Sequence, residues 1–112
     1  MPRSAAPLPL LAALSLAGAA AAGPDEPAAA AVHTVVIENL QFNPAQLAVH
    51  RGERIVWVNK DLFPHTVTAD GRAFDSGSIA ANASWRYVAG KSGSFTYTCT
   101  FHPTMKGRIT VQ

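Results

Sequence analysis

The sequence predicts an all-β domain, a sandwich or barrel of seven or eight short strands. Three observations predict it. Runs of four to seven β-branched and aromatic residues recur along residues 32–112. Turn-forming Gly, Pro, Asn and Asp punctuate them at short intervals. No stretch of useful length carries a helical period, and no repeat of 20 to 50 residues is present.

The 112-residue chain is read as one domain preceded by an export sequence. Arg3 gives a positive start, Leu8 to Ala22 is apolar, and Ala20-Ala21-Ala22-Gly23 supplies small residues. That order is the pattern of a secretory signal peptide over residues 1–22. The apolar run of about 15 residues is shorter than the roughly 20 that cross a bilayer. Residues 23–31 read as a flexible leader, and the folded domain as residues 32–112. Export makes the periplasm the expected location, with no stable membrane insertion once the signal is removed.

Each element has its own warrant. Val32 to Glu38 is β-branched and stops at Asn39. Ala45 to His50 follows Asn43-Pro44 and stops at Arg51-Gly52. Glu53 to Asn59 has Ile55 and Trp57 on one face and Val56 and Val58 on the other, so this strand is expected to be central. His65 to Ala69 places His65, Val67 and Ala69 on one side. Asp70 to Ala83 is irregular, with room for a short helical turn. Ser84 to Ala89 carries Trp85 and Tyr87 in phase. Ser94 to Cys99 carries Phe95, Tyr97 and Cys99 in phase, which turns the Cys99 sulfur inward. Lys106 to Val111 closes the chain with Ile109 and Val111 in phase.

The chemistry is concentrated near the C-terminus, in Cys99-Thr100-Phe101-His102-Pro103-Thr104-Met105. Cys99 is the only cysteine, and Met105 is one of two methionines, the other being Met1. A lone cysteine in an exported chain pairs between molecules, reacts or binds something. A thiolate, an imidazole and a thioether spaced three apart are donors for a copper electron-transfer site, which needs a second imidazole. His65, in Phe63-Pro64-His65-Thr66, is that second imidazole. The expected metal ligands are therefore His65, Cys99, His102 and Met105 around one type 1 copper ion. Phe95, Tyr97 and Phe101 are the expected apolar shield, and Asn59 and Thr66 the expected braces behind the ligands. His33 and His50 read as ordinary strand and turn residues, and Trp57, Trp85 and Tyr87 as core.

These residues also carry a resemblance. Cys-x2-His-x2-Met, the upstream Pro64-His65, the run Tyr97-Thr98-Cys99, Phe74-Asp75-Ser76-Gly77 and Met105-Lys106-Gly107-Arg108-Ile109 are similar to the cupredoxins. Within the amicyanin, plastocyanin and pseudoazurin group, the short loop looks most like that of the amicyanins; the other two are similar but have a longer spacing from His to Met. The resemblance runs from about Val35 to Gln112 and implies an eight-stranded Greek-key sandwich holding type 1 copper. Thr66 stands where these proteins usually have Asn, whose side chain braces the ligand loop. Phe101 and Thr104 stand where the amicyanin loop has Pro and Phe.

Composition narrows the function. Nine Lys plus Arg against seven Asp plus Glu, without a basic run, gives no surface for nucleic acid. Four histidines cannot build both a type 1 site and the further clusters of a multicopper enzyme. One cysteine excludes a binuclear two-cysteine copper site. A Cys–His hydrolase lacks an evident helix N-terminus or oxyanion loop. The expectation is a monomeric electron carrier, not an enzyme, serving redox proteins such as a c-type cytochrome or a periplasmic dehydrogenase. The alternative is an exported copper chaperone or store that passes on Cu(I). Phe63, Pro64, Phe101 and Pro103 flank the two histidines as an expected apolar docking patch.

Overall fold

The computed structural model describes residues 30–112. The expected signal peptide and most of the leader lie outside the described residues. Eight strands follow in order: β1 (Val32–Glu38), β2 (Gln41–Asn43), β3 (Gln46–Val49), β4 (Arg54–Asn59), β5 (Thr68–Ala69), β6 (Ser84–Val88), β7 (Gly93–Cys99) and β8 (His102–Val111). They form two four-stranded sheets, ordered β2-β1-β4-β6 and β3-β8-β7-β5. β1 with β2 and β7 with β8 are consecutive antiparallel pairs, while the other neighbours come from distant parts of the chain, in the Greek-key manner. β1 runs parallel to β4, and β3 parallel to β8; the other pairs are antiparallel.

The alternation explains the core. β4 lies between β1 and β6, as its two apolar faces require. Ile55 and Trp57 are fully buried, while Val56 and Val58 are half-buried on the outer face. Trp57 stands opposite Val35 on one side and Trp85 on the other. From the second sheet Tyr97 meets Trp57 edge-on, with ring centroids 5.5 Å apart. Burial pushes the Tyr97 phenol up to about 12, so it stays neutral. Gly107 lies opposite Tyr97 in the β7–β8 pair, and a Cβ there would strike the phenol ring. Trp57 is core, whereas Trp85 and Tyr87 are only partly buried and pack against it.

Three elements differ from the sequence expectation. β2 was not foreseen, because Phe42 is the one apolar residue in its three-residue run. The expected strand from His65 shrinks to Thr68–Ala69, with His65 in an isolated bridge to Ile79. β8 begins at His102 instead of Lys106. The irregular stretch from Asp70, open to a short helical turn or plain loop, holds a three-residue 3-10 turn over Asp70–Arg72 with Gly71 at φ 72°.

Candidate metal centre

β7 and β8 make a hairpin whose last pair is Cys99 opposite His102, joined by Thr100-Phe101. The register shifts between Thr98 and Cys99, where the partner jumps from Lys106 to His102, so the ladder is irregular beside the thiol. His102 and Met105 therefore belong to a strand, not to the loop expected to carry them. His65 arrives from the segment between β4 and β5, fixed by reciprocal backbone hydrogen bonds with Ile79.

Three donors converge. Cys99 Sγ is 3.5 Å from His65 Nδ1 and 3.9 Å from His102 Nδ1. All three lie within 4.8 Å of one another, and they form the one such cluster of His, Cys, Asp or Glu among the described residues. A sulfur about 2.3 Å and a nitrogen about 2.0 Å from one metal in a trigonal plane stand about 3.7 Å apart. The observed separations bracket that value, so the donor set fits a single ion between them. Cys99 and His65 are fully buried and His102 is half-buried. Met105 is buried in phase with Gly107, Ile109 and Val111, and so points into the sandwich. His33 and His50 stand apart from the cluster: His33 pairs with Glu53 at 2.8 Å, and the His50 amide donates to the same oxygen.

Behind the donors, Thr66 links the His65 segment to the hairpin. Its backbone N–H points at Cys99 Sγ at 3.4 Å, and its Oγ1 accepts the Thr100 N–H at 2.9 Å. The shorter hydroxyl thus ties the segment after His65 to the ligand hairpin. Asn59 acts from below. Its Nδ2 donates to the carbonyls of Phe63 and Ile79, and its Oδ1 accepts the Asp61 N–H.

Asp61 escaped the sequence reading. Its Oδ2 lies 2.7 Å from His65 Nε2. Burial pushes the Asp61 carboxyl up, but the Leu40 amide, the His65 ring and the Asn39 amide together hold it below its ordinary value. The available signal was a carboxylate four residues before the histidine, inside the turn-forming run Asn59-Lys60-Asp61.

The rim of the site is apolar. The Phe63 ring lies 5.2 Å from that of His65 and 5.8 Å from that of His102. Leu62 is 91% exposed, Phe101 52%, Leu40 45% and Phe63 42%. Phe101 therefore faces outward and does not supply the shielding expected of it; Tyr97 is buried and Phe95 half-buried. Among the described residues no helix is long and apolar enough to cross a membrane.

Comparison with known proteins agrees with this geometry. A family model described as a cupredoxin-like domain matches residues 8–111. Amicyanin from Paracoccus versutus is 30% identical over 81% of this chain and 71% of its own length. Plastocyanin from Synechococcus sp. is 29% identical over 91% of this chain and 89% of its own. Among solved structures, a purple cupredoxin from Nitrosopumilus maritimus superposes with a TM-score of 0.67 at 23% identity, covering 71% of this chain and 99% of its own. A Cu(I) form of an amicyanin variant gives a TM-score of 0.68 at 23% identity, covering 76% and 86%.

Proposed function

Because this chain belongs to the cupredoxin-like family, we propose that it is a type 1 blue-copper electron carrier serving redox proteins in the periplasm. The observation that carries the reading is the convergence of His65 Nδ1, Cys99 Sγ and His102 Nδ1 on one point. His65, Cys99 and His102 would hold the copper, and the Met105 thioether would complete the donor set. Bound copper supplies a one-electron couple between Cu(I) and Cu(II).

The protein's own residues keep that exchange easy. Cys99 and His65 are fixed in the buried sandwich end, so the donors need little movement when the charge changes. Thr66 turns a backbone N–H toward the sulfur and clasps the hairpin through Thr100. Tyr97 and Met105 exclude water from the inner side. His102 is the half-buried donor, and the exposed Leu62, Phe63 and Phe101 around it form an apolar face for a transient partner. Transient redox complexes bury little surface, so a patch of this size is enough. The amino-terminal signal pattern supports export, and partners of the c-type cytochrome or periplasmic dehydrogenase kind fit that compartment.

The test is the visible and EPR spectrum after one equivalent of Cu(II) is added to the purified protein. An intense blue or violet thiolate band with small copper hyperfine splitting is expected, and Cys99→Ser removes it. A pale complex with large splitting overturns the assignment. Repeated reduction and reoxidation without loss of copper separates a carrier from a copper-delivery protein.

A further inference from the structure

The Asp61 carboxylate receives three donors on two oxygens. The Asn39 N–H donates to Oδ1 at 2.7 Å and the Leu40 N–H to Oδ2 at 3.1 Å. His65 Nε2 shares Oδ2 at 2.7 Å. Asn39 and Leu40 both take left-handed backbone torsions, φ 57° and 59°. Such torsions are unfavourable for most L-residues, Leu among them, and are more readily taken by Asn. Successive amides turned toward one concavity make an anion-binding nest, and the charged oxygens of Asp61 fill it. The Asp61 backbone is held as well, through its N–H on Asn59 Oδ1 at 2.9 Å.

An ionised carboxylate only accepts hydrogen bonds, so the proton at the His65 contact sits on Nε2. Nδ1 then presents its lone pair toward Cys99 Sγ, 3.5 Å away. We propose that Asp61 is a positioning residue for the metal centre: held by the Asn39-Leu40 turn, it locks His65 in the Nε2–H form with Nδ1 facing the sulfur. The turn between β1 and β2 thereby becomes a remote part of the metal centre. This inference rests on the ligand assignment for His65 but not on the identity of the metal. A carboxamide cannot replace the carboxylate. Asn at this position offers one oxygen and one NH2: turned one way its NH2 meets the Asn39 N–H, turned the other it meets both the Leu40 N–H and His65 Nε2. A histidine ligand normally gives its second N–H to such a partner, and losing that partner weakens metal binding about 10–100-fold.

The first reading is taken on metal-free, 15N-labelled wild-type protein, from long-range 1H–15N correlations of the His65 ring. The expected result is a single form protonated at Nε2. In Asp61→Asn that preference is lost, Cu(II) affinity measured against a competing chelator falls about 10–100-fold, and the reduction potential rises. A wild-type His65 protonated at Nδ1 overturns the proposal, and this reading needs no variant that folds. An Asp61→Asn protein that keeps both the tautomer and the affinity overturns it too. A pale wild-type copper complex would instead remove the blue-copper reading, and the metal-free tautomer would still judge Asp61.

Discussion

Thr66 is where the chain departs from the usual cupredoxin pattern, and its contacts show how the departure is accommodated. The Oγ1 atom takes the Thr100 N–H and also lies 3.1 Å from Thr68 Oγ1 and 3.2 Å from Thr100 Oγ1. Thr66→Val keeps the shape but strands the Thr100 amide. That hydrogen bond is only part-buried, so its loss costs about 0.5–1.5 kcal/mol, and the urea midpoint of the apoprotein falls by that equivalent. Gly107→Ala drives a methyl into the Tyr97 ring. Overpacking of this kind costs about 1–3 kcal/mol, again read from denaturant unfolding. Met105→Gln puts a harder oxygen donor in the axial place, and the reduction potential falls; an unchanged potential means Met105 is not axial. At this scale the donors were legible because Cys99 and Met105 are rare residues at fixed spacing from a histidine. Asp61 was not, because two of its three partners are backbone amides of a turn far away in sequence.

The β7–β8 hairpin shows what a single element contributes. Alternation through Phe95, Tyr97 and Cys99 made the inward sulfur readable. The start of β8 was hidden, because Pro103 and Thr104 look like loop while the strand pairing begins at His102. Likewise β2 is defined by pairing with β1, opposite Val36, Ile37 and Glu38, and not by any pattern of its own. At the other end of the sandwich, Glu53 joins the starts of β1 and β4. Its carboxylate takes the His50 amide and the His33 ring, which hold it below the ordinary 4.5. A lowered value in the folded state means that this contribution is complete above 4.5 and is lost as pH falls through the lowered value. The difference in unfolding midpoint between wild type and Glu53→Gln is therefore largest at neutral pH and closes in acid.

Across the whole molecule, the sandwich class followed from strand count and punctuation, whereas sheet order did not. Parallel pairing of β1 with β4 and of β3 with β8 is set by how the two layers close on Trp57, Tyr97 and Ile109, all fully buried. The proposed metal centre joins both parts of the chain, since His65 and the hairpin come from different stretches. Metal that binds only the folded form stabilises it by about 4 kcal/mol at a free concentration a thousand times its dissociation constant. Calorimetry with and without Cu(II) should show that rise in melting temperature, and Cys99→Ser should lose most of it. The parallel pairs also govern time. β3 meets β8 across the stretch that holds β4, β5, β6 and β7. Folds dominated by such non-local pairings complete in milliseconds to seconds, whereas a hairpin closes in about 1–10 microseconds. Cys99 and His102 are three residues apart in one hairpin, whereas His65 stands 34 residues from Cys99, so local closure brings two of the three donors together and the third needs a non-local one.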